Sequence, residues 1–464
     1  MSASRLLQLP VELILVIVEQ LDKHDLISFS RASHRAAKVC QPLIKSLSPE
    51  QRRKLFLSAA ETGREVTVTY FIDELFAVNK PGSETDESVS AFRDSALNVA
   101  CRGGIVSIIR HLLGAGAEPR PSHLETAVKA NRVEAVRLLF SLGVDIESFR
   151  AWSDERNERT GRESILHVAA QAGSTDVVEM LLSSDYGLDV GRCDALGFTA
   201  LWKAAFRGYS DTVAVLLRHD ANPNQCLNAR RPAERASDSN GYSYACIVDY
   251  ILGPGAGPQP EPETGRPATA LWAAAVNDQR HTTELLLNHG ARLDLGTPTD
   301  CSVLHDAAVR GCRSIIPLLL AQGADINERN PRGYGILHYV LRRGYTQVEE
   351  TVQALLDGGA DINGTTAAGD TVLSIAAIYA PYAVLQLLID RGADLDKASA
   401  DGGKSPLFYA LESLSYGAAS MLVRAGCDVE MRDKTGKAPI DYTFGAPPEI
   451  IELIRSRSAS ASDD

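Results

Sequence analysis

The chain has no apolar run long enough to span a bilayer. Its strongest candidate, Leu13 to Val18, is six residues long and lies between Glu12 and Glu19, whereas a transmembrane helix needs roughly 20 apolar residues. The same run is too short, and too acidic at its flanks, for the apolar core of a signal peptide. The expected location is therefore inside the cell, in cytosol or nucleus. Basic charge is also scarce. Lys and Arg number 47 against 59 Asp and Glu, a net charge of −12. That balance excludes a protein whose main task is gripping phosphate backbones, and neither nucleic acid nor membrane is an expected partner. The eight cysteines (Cys40, Cys101, Cys193, Cys226, Cys246, Cys301, Cys312 and Cys427) form no C-x-x-C pair and no regular framework. Scattered cysteines of this kind read as reduced and packed, without zinc or disulfide roles. No H-E-x-x-H, P-loop, G-x-S-x-G or kinase phrase is present. No catalytic residue, cofactor or metal is expected, and the chain does not read as an enzyme.

What is present is repetition. At 464 residues the chain is too long for one ordinary core, so it is either several domains or an array that grows by stacking. One phrase recurs: Ser164-Ile-Leu-His167-Val-Ala-Ala170, Thr199-Ala-Leu-Trp202-Lys-Ala-Ala205, Thr269-Ala-Leu-Trp272-Ala-Ala-Ala275, Ser302-Val-Leu-His305-Asp-Ala-Ala308 and Thr371-Val-Leu-Ser374-Ile-Ala-Ala377. A second comes about twenty residues later: Gly290-Ala-Arg-Leu-Asp294, Gly323-Ala-Asp-Ile-Asn327, Gly359-Ala-Asp-Ile-Asn363. The anchor of the first phrase falls at Leu97, Leu124, Leu166, Leu201, Leu271, Leu304, Leu337, Leu373, Leu407 and Ile440, and from Leu271 onward the intervals are 33, 33, 36, 34 and 33.

Physical chemistry accounts for the phrases. Ser or Thr caps the first helix of each repeat. The Leu and the Ala pair face the neighbouring repeat, Ala allowing close approach. A second helix carries apolar residues at helical spacing, as in Val177, Val178, Met180, Leu181 and Leu182. Gly ends it in a left-handed conformation, and Asp and Asn suit the turn into a projecting hairpin. One repeat cannot bury its apolar face alone, and stacking does that. The array resembles the ankyrin repeat, whose period is about 33 and whose phrase is T-P-L-H-x-A. The resemblance covers roughly residues 55–455 and implies that His167, His305 and His338 make hydrogen bonds between repeats. Trp202 and Trp272 replace His in theirs.

Departures from the period mark insertions, near 149–162 and 225–267. The second is rich in Pro and Gly around Gly253-Pro-Gly-Ala-Gly-Pro258, while Cys246–Leu252 reads as one helix of a degenerate repeat. Phe56–Leu75 reads as a drifted capping repeat. The Ser-rich tail from Arg455 reads as disordered.

The N-terminus shows another pattern, Leu9-Pro-Val-Glu-Leu13 with Ile17, Leu21, Asp25, Leu26 and later Arg31-Ala-Ser-His-Arg35. Pro10 suits a first helical turn, and Leu13, Ile17 and Leu21 share one face. The segment resembles an F-box, the module that recruits a Skp-type adaptor and a cullin ubiquitin ligase. It departs from that family where Ala36 and Ala37 stand in place of a bulky aromatic.

The expected fold is all-α: an ankyrin-repeat solenoid of about 10–12 helix-turn-helix repeats with β-hairpin loops, preceded by a small helical F-box-like module. The expected domains are 1–48 (F-box-like), 49–90 (degenerate first repeat and linker), 91–455 (solenoid) and 456–464 (tail). The F-box resemblance implies that Leu9, Pro10, Leu13, Ile17, Leu21 and Leu26 contact the adaptor. The concave face then holds a target protein through Phe206, Arg207, Arg310, Arg342, Arg343 and Tyr379, the exposed positions just after each Ala pair. Arg342-Arg343 is a basic cluster on an acidic chain, suited to an acidic partner. The alternatives are a scaffold or regulatory ankyrin protein unconnected with ubiquitin, and an enzyme or enzyme accessory using a pocket on an unusual repeat or in the 230–267 insertion.

Overall fold

The computed structural model describes residues 57, 60, 61, 68, 86–144, 164–184, 186–194, 197–225, 268–295, 301–330, 333–343 and 347–461. Among them the regular structure is helical and no strand forms. The N-terminal segment with Leu9, Pro10, Leu13, Ile17, Leu21 and Leu26, the 149–162 insertion and residues 226–267 lie outside the described residues.

The chain divides into two compact units, Met1–Ala200 with Ala214–Ala221, and Leu201–Val213 with Asn222–Asp464. In the first, helices come as pairs: α1 (Asp86–Gly103) with α2 (Val106–Gly114), α3 (Pro121–Lys129) with α4 (Val133–Ser141), and α5 (Ile165–Ala172) with α6 (Thr175–Ser183). First helices pack on first helices, α1 on α3 and α3 on α5, and second helices on second, α2 on α4 and α4 on α6. Helices α7 (Ala200–Arg207) and α8 (Ser210–Arg218) contribute residues to both units.

The second unit continues the pattern. Its pairs are α9 (Ala270–Ala275) with α10 (Arg280–Asn288), α11 (Val303–Val309) with α12 (Ile316–Ala321), α13 (Ile336–Arg343) with α14 (Val348–Asp357), α15 (Val372–Tyr379) with α16 (Tyr382–Asp390), and α17 (Pro406–Glu412) with α18 (Tyr416–Ala425). A 3-10 turn at Pro439–Tyr442 and α19 (Pro448–Ala461) close it. Again α11, α13, α15 and α17 form one layer, and α12, α14, α16 and α18 the other. The anchors from Leu97 to Leu407 are at most 2% exposed, and so the phrase marks the core. Their Ala neighbours are buried with them, as at Ala169, Ala170, Ala204 and Ala205. Removing each such Leu from water contributes roughly 1.5–3 kcal/mol.

The phrase also caps its helix. Thr269 Oγ1 accepts from the Trp272 backbone N–H at 3.2 Å, and Thr371 Oγ1 accepts from that of Ser374 at 3.1 Å. The hairpins form as tight fingers rather than ladders, with isolated bridges Cys193–Thr199 and Thr365–Thr371. At their tips the backbone N–H of residue i donates to the carbonyl four residues on, as Asn330 to Tyr334, Thr366 to Asp370 and Asp433 to Lys437, each at 2.9 Å. A side-chain ladder ties finger bases together. The Asn327 amide oxygen accepts from the Asp361 N–H at 2.9 Å, Asn363 from Asp394 at 2.8 Å, and Asp396 from Asp428 at 2.7 Å.

One expectation changes. The tail does not end its order at Arg455, since α19 runs on to Ala461. The Ser456 hydroxyl donates to the Leu453 carbonyl at 2.9 Å, and the Ser458 hydroxyl donates to Glu430 of the preceding repeat. Small polar residues thus extend the helix by bonding to it and to its neighbour. The repeats that flank the long interval from Leu201 to Leu271 touch one another. Asn224 accepts from the Arg292 N–H at 2.8 Å and donates to the Gly290 carbonyl at 2.9 Å. The Ser210 and Thr282 hydroxyls meet at 3.0 Å. The described repeats on either side of residues 226–267 are therefore bonded directly to one another.

Candidate functional site

The histidines of the phrase are structural. The His167 Nε2–H donates to the Phe198 carbonyl at 3.0 Å, just before the next repeat's phrase, while Nδ1 accepts from the Ser164 N–H at 3.3 Å. In the second unit the Ser302 hydroxyl lies 2.8 Å from His305 Nδ1, and the far side of that ring faces the backbone of Tyr334. Burial pushes the His305 pKa down to about 4 and lowers that of His338. Both rings are therefore neutral at pH 7. Trp272 fills the same position as core, 2% exposed, and its Nε1–H donates to Asp306 of the next repeat at 2.8 Å. His123 differs: its Nδ1 accepts from the Arg120 N–H, and its Nε2 reaches back to the Asp94 carbonyl at 3.1 Å.

Among the described cysteines, Cys101, Cys301, Cys312 and Cys427 are likewise buried. Burial raises Cys101 and Cys427 to about 12 and Cys312 to about 11, so thiolate, the nucleophilic form, is scarce. Among the described residues no group of three or more His, Cys, Asp or Glu is placed to hold a metal ion. No helix among them is long and apolar enough to cross a membrane.

The six residues expected to meet a target all fall in the second unit, at the C-terminal ends of first helices, five or six positions beyond an anchor. Phe206 is half-buried, stacked on Trp202 with ring centroids 5.2 Å apart and planes 10° from parallel. Arg207 is exposed. Arg310 is half-buried and donates to the Val276 carbonyl at 3.3 Å, stapling its turn to the preceding one. Arg342 is exposed, donates to the Tyr334 hydroxyl at 2.6 Å and lies 5.4 Å from that ring's centroid. Arg343 is the last residue of α13. Tyr379 ends α15 and is 53% exposed.

The structure adds apolar residues at the turns between first and second helices. Tyr382 is 55% exposed, Leu414 62% and Phe444 96%. They belong to the last three repeats, and Tyr382 lies over the next repeat's Gly417, where a Cβ would fall 2.4 Å from its hydroxyl. Tyr416, at Tyr382's position one repeat on, stands farther from Gly445, where a Cβ would fall 4.0 Å from its hydroxyl. The repeat phrase does not mark these residues, because it singles out only the positions directly after the Ala pair. Their offset from the anchors, four to nine residues, is the one signal the sequence holds.

A polar network fixes the last fingers. Tyr409 donates to Asp370 at 2.5 Å, Lys404 pairs with Glu412, and Tyr442 donates to Asp433 at 2.5 Å. The Tyr442 and Thr435 hydroxyls hold the Asp433 carboxyl far below the usual carboxylate range. Burial and the bond to Asp370 push Tyr409 up to about 12. These groups are satisfied by one another and tie the last fingers to the helical segments beside them.

Comparison with known proteins points the same way. The chain is 26% identical over 367 residues to human transient receptor potential cation channel subfamily A member 1, an alignment covering 74% of this chain and 28% of that protein. It is 29% identical over 116 residues to the mouse B-cell lymphoma 3 protein homolog, covering 24% of this chain and 25% of that one. It is 30% identical over 89 residues to the Drosophila melanogaster E3 ubiquitin-protein ligase Ufd4, covering 19% of this chain and 3% of that one. The chain thus spans about a quarter of the length of the first two relatives and 3% of the third. The family described as ankyrin repeats (3 copies) matches residues 126–226, 234–330 and 337–433, well over half the chain. With paired helices stacked in two layers and capped Leu-anchored phrases joined by fingers, the chain belongs to the ankyrin-repeat family, whose repeats are protein-interaction modules and typically not catalytic.

Proposed function

We propose that this chain is a protein-binding adaptor that serves as the substrate-recognition subunit of an SCF-type ubiquitin ligase. The observation that carries the reading is the N-terminal phrase Leu9-Pro-Val-Glu-Leu13, with Ile17, Leu21 and Leu26, placed ahead of an ankyrin array. A short helix that is apolar nearly all round needs burial on more than one side, and a Skp-type adaptor supplies such a surface. The array holds the target through Phe206, Arg207, Arg310, Arg342, Arg343 and Tyr379, while the cullin ligase supplies the chemistry. A ubiquitin ligase among the relatives agrees with this reading. The test is a pull-down of purified Skp-type adaptor by the full chain and by a Leu9→Ala, Pro10→Ala double variant, with circular dichroism to check folding. Binding by the wild type and its loss in the variant is the expected result. No binding by the folded wild type overturns the ubiquitin part.

In that event the second reading stands, a scaffold or regulatory ankyrin protein. The similarity to the B-cell lymphoma 3 protein homolog over 116 residues favours it.

A further inference from the structure

The exposed turns of the second unit change character along the array. At the repeats anchored on Leu304 and Leu337 they carry Arg310, Arg313 and Arg342, with Arg343 beside them. Among the described residues no carboxylate lies within ion-pair distance of Arg313 or Arg342. At the repeats anchored on Leu373, Leu407 and Ile440 they carry Tyr379, Tyr382, Leu414, Tyr416 and Phe444. The carboxylates at these same positions are Glu412, paired with Lys404, and Glu449, exposed in the first turn of α19. A basic stretch and then an apolar one thus lie along one edge of a chain whose net charge is −12.

Leu414 makes the apolar stretch more than scatter. It sits seven residues past its anchor at φ +60°, a conformation costing a branched residue roughly 1–2 kcal/mol. The same position holds Gly104, Asn131, Gly173, Gly208, Asp278 and Gly311 in other repeats. An exposed Leu there is strained without being buried, the combination found at binding sites rather than in cores.

We propose that this edge binds an extended segment of a partner protein, acidic where it faces Arg310, Arg313 and Arg342 and apolar where it meets Tyr379, Tyr382, Leu414 and Phe444. The inference rests on the target-binding reading above and names the class of target. Charge complementarity selects the acidic half: guanidinium groups take carboxylates in paired hydrogen bonds. Tyrosines standing on the rigid backbone of the next repeat offer contact area at little cost in entropy. Five stacked repeats, each about 8–10 Å from the next, call for a segment of roughly 12 residues at about 3.3 Å per residue. An anionic bilayer shares the charge logic but is broad. It would bring the exposed Glu412 and Glu449 of the same turns toward a surface of their own sign, which a narrow segment avoids.

The experiment is selection of a displayed random library of peptides about 12 residues long on the full chain. Selected peptides are then titrated by fluorescence anisotropy against two double variants, Arg313→Glu with Arg342→Glu, and Leu414→Asn with Phe444→Ser. All four positions are exposed and Asn tolerates the left-handed backbone, so folding should survive, as circular dichroism will check. The expected peptides carry Asp and Glu beside Leu, Phe or Tyr, bind more weakly as salt rises, and lose about tenfold or more in affinity to each variant. Selected peptides without acidic residues that still depend on the variants overturn the partner class and leave the docking surface standing. Peptides indifferent to both variants overturn the surface itself. Binding of phosphatidylserine vesicles, or a dimer dispersed by Leu414→Asn with Phe444→Ser, assigns the edge to another occupant and overturns the proposal.

Discussion

At the scale of single residues, the buried histidines and the strained leucine set measurable properties. His305 holds its proton only below about pH 4 in the folded chain, against 6.5 for an ordinary His. The unfolded chain therefore binds a proton that the folded one refuses throughout that window. Stability is full above pH 6.5 and is lost as pH falls toward 4, by about 3 kcal/mol from this residue. His338 and His123, also lowered by burial, act in the same direction. Urea midpoints measured at pH 7, 5.5 and 4.5 should fall, and His305→Asn should flatten the slope. An unchanged slope in that variant would refute the assignment. Leu414 allows a prediction of opposite sign. Replacing it with Gly relieves the positive φ, loses little burial and gives the unfolded chain more freedom. The net effect is a gain of about 0.5–1 kcal/mol, visible as a higher melting temperature. That the same change should weaken peptide binding separates what the residue does for the fold from what it does for a partner.

At the scale of the element, the fingers are held by close approach as much as by turn geometry. Gly369 has φ +83°, and a Cβ there would lie 2.3 Å from the Ala400 backbone nitrogen on the next finger. Gly392, with φ +82°, meets nothing within 4 Å. Gly392→Ala should therefore cost only the left-handed penalty, roughly 1 kcal/mol. Gly369→Ala adds an overpacked backbone contact and should cost about 2–4 kcal/mol. Equal losses in urea denaturation would mean that the fingers are not packed as described. This contrast also shows where sequence reading stops. Gly369 and Gly392 both announce turns, and nothing in their neighbours distinguishes the one that touches another repeat. The anchors, the Ala pair and the capping Ser and Thr were legible because each repeats at one period and answers to one local cause. The Tyr382, Leu414 and Phe444 strip was not, because its members sit at different offsets and come together only through stacking. The extension of α19 through Ser456 and Ser458 was hidden for a similar reason: composition argued against a helix, while bonds to Leu453 and Glu430 favoured one.

At the scale of the whole molecule, the array tolerates interruption where a finger belongs. Asn224 bonds to Arg292 as Asn327 does to Asp361, so the repeats on either side of residues 226–267 are true neighbours. In the uninterrupted repeat, Gln225 and Ala268 correspond to Gly364 and Asp370. Replacing residues 226–267 with a copy of Thr365-Thr-Ala-Ala-Gly369 would therefore restore the 33-residue interval seen from Leu271 to Leu304. Neighbour contacts dominate the stability of a repeat array, and the entropy of a long loop grows only slowly with its length. The shortened chain should keep its helical circular dichroism and unfold cooperatively, with a midpoint equal to or slightly above that of the parent. A collapse of cooperative unfolding would show that residues 226–267 hold the neighbouring repeats together. If stability survives while binding of a partner is lost, the inserted segment is an instrument of recognition carried by an array that does not need it to fold.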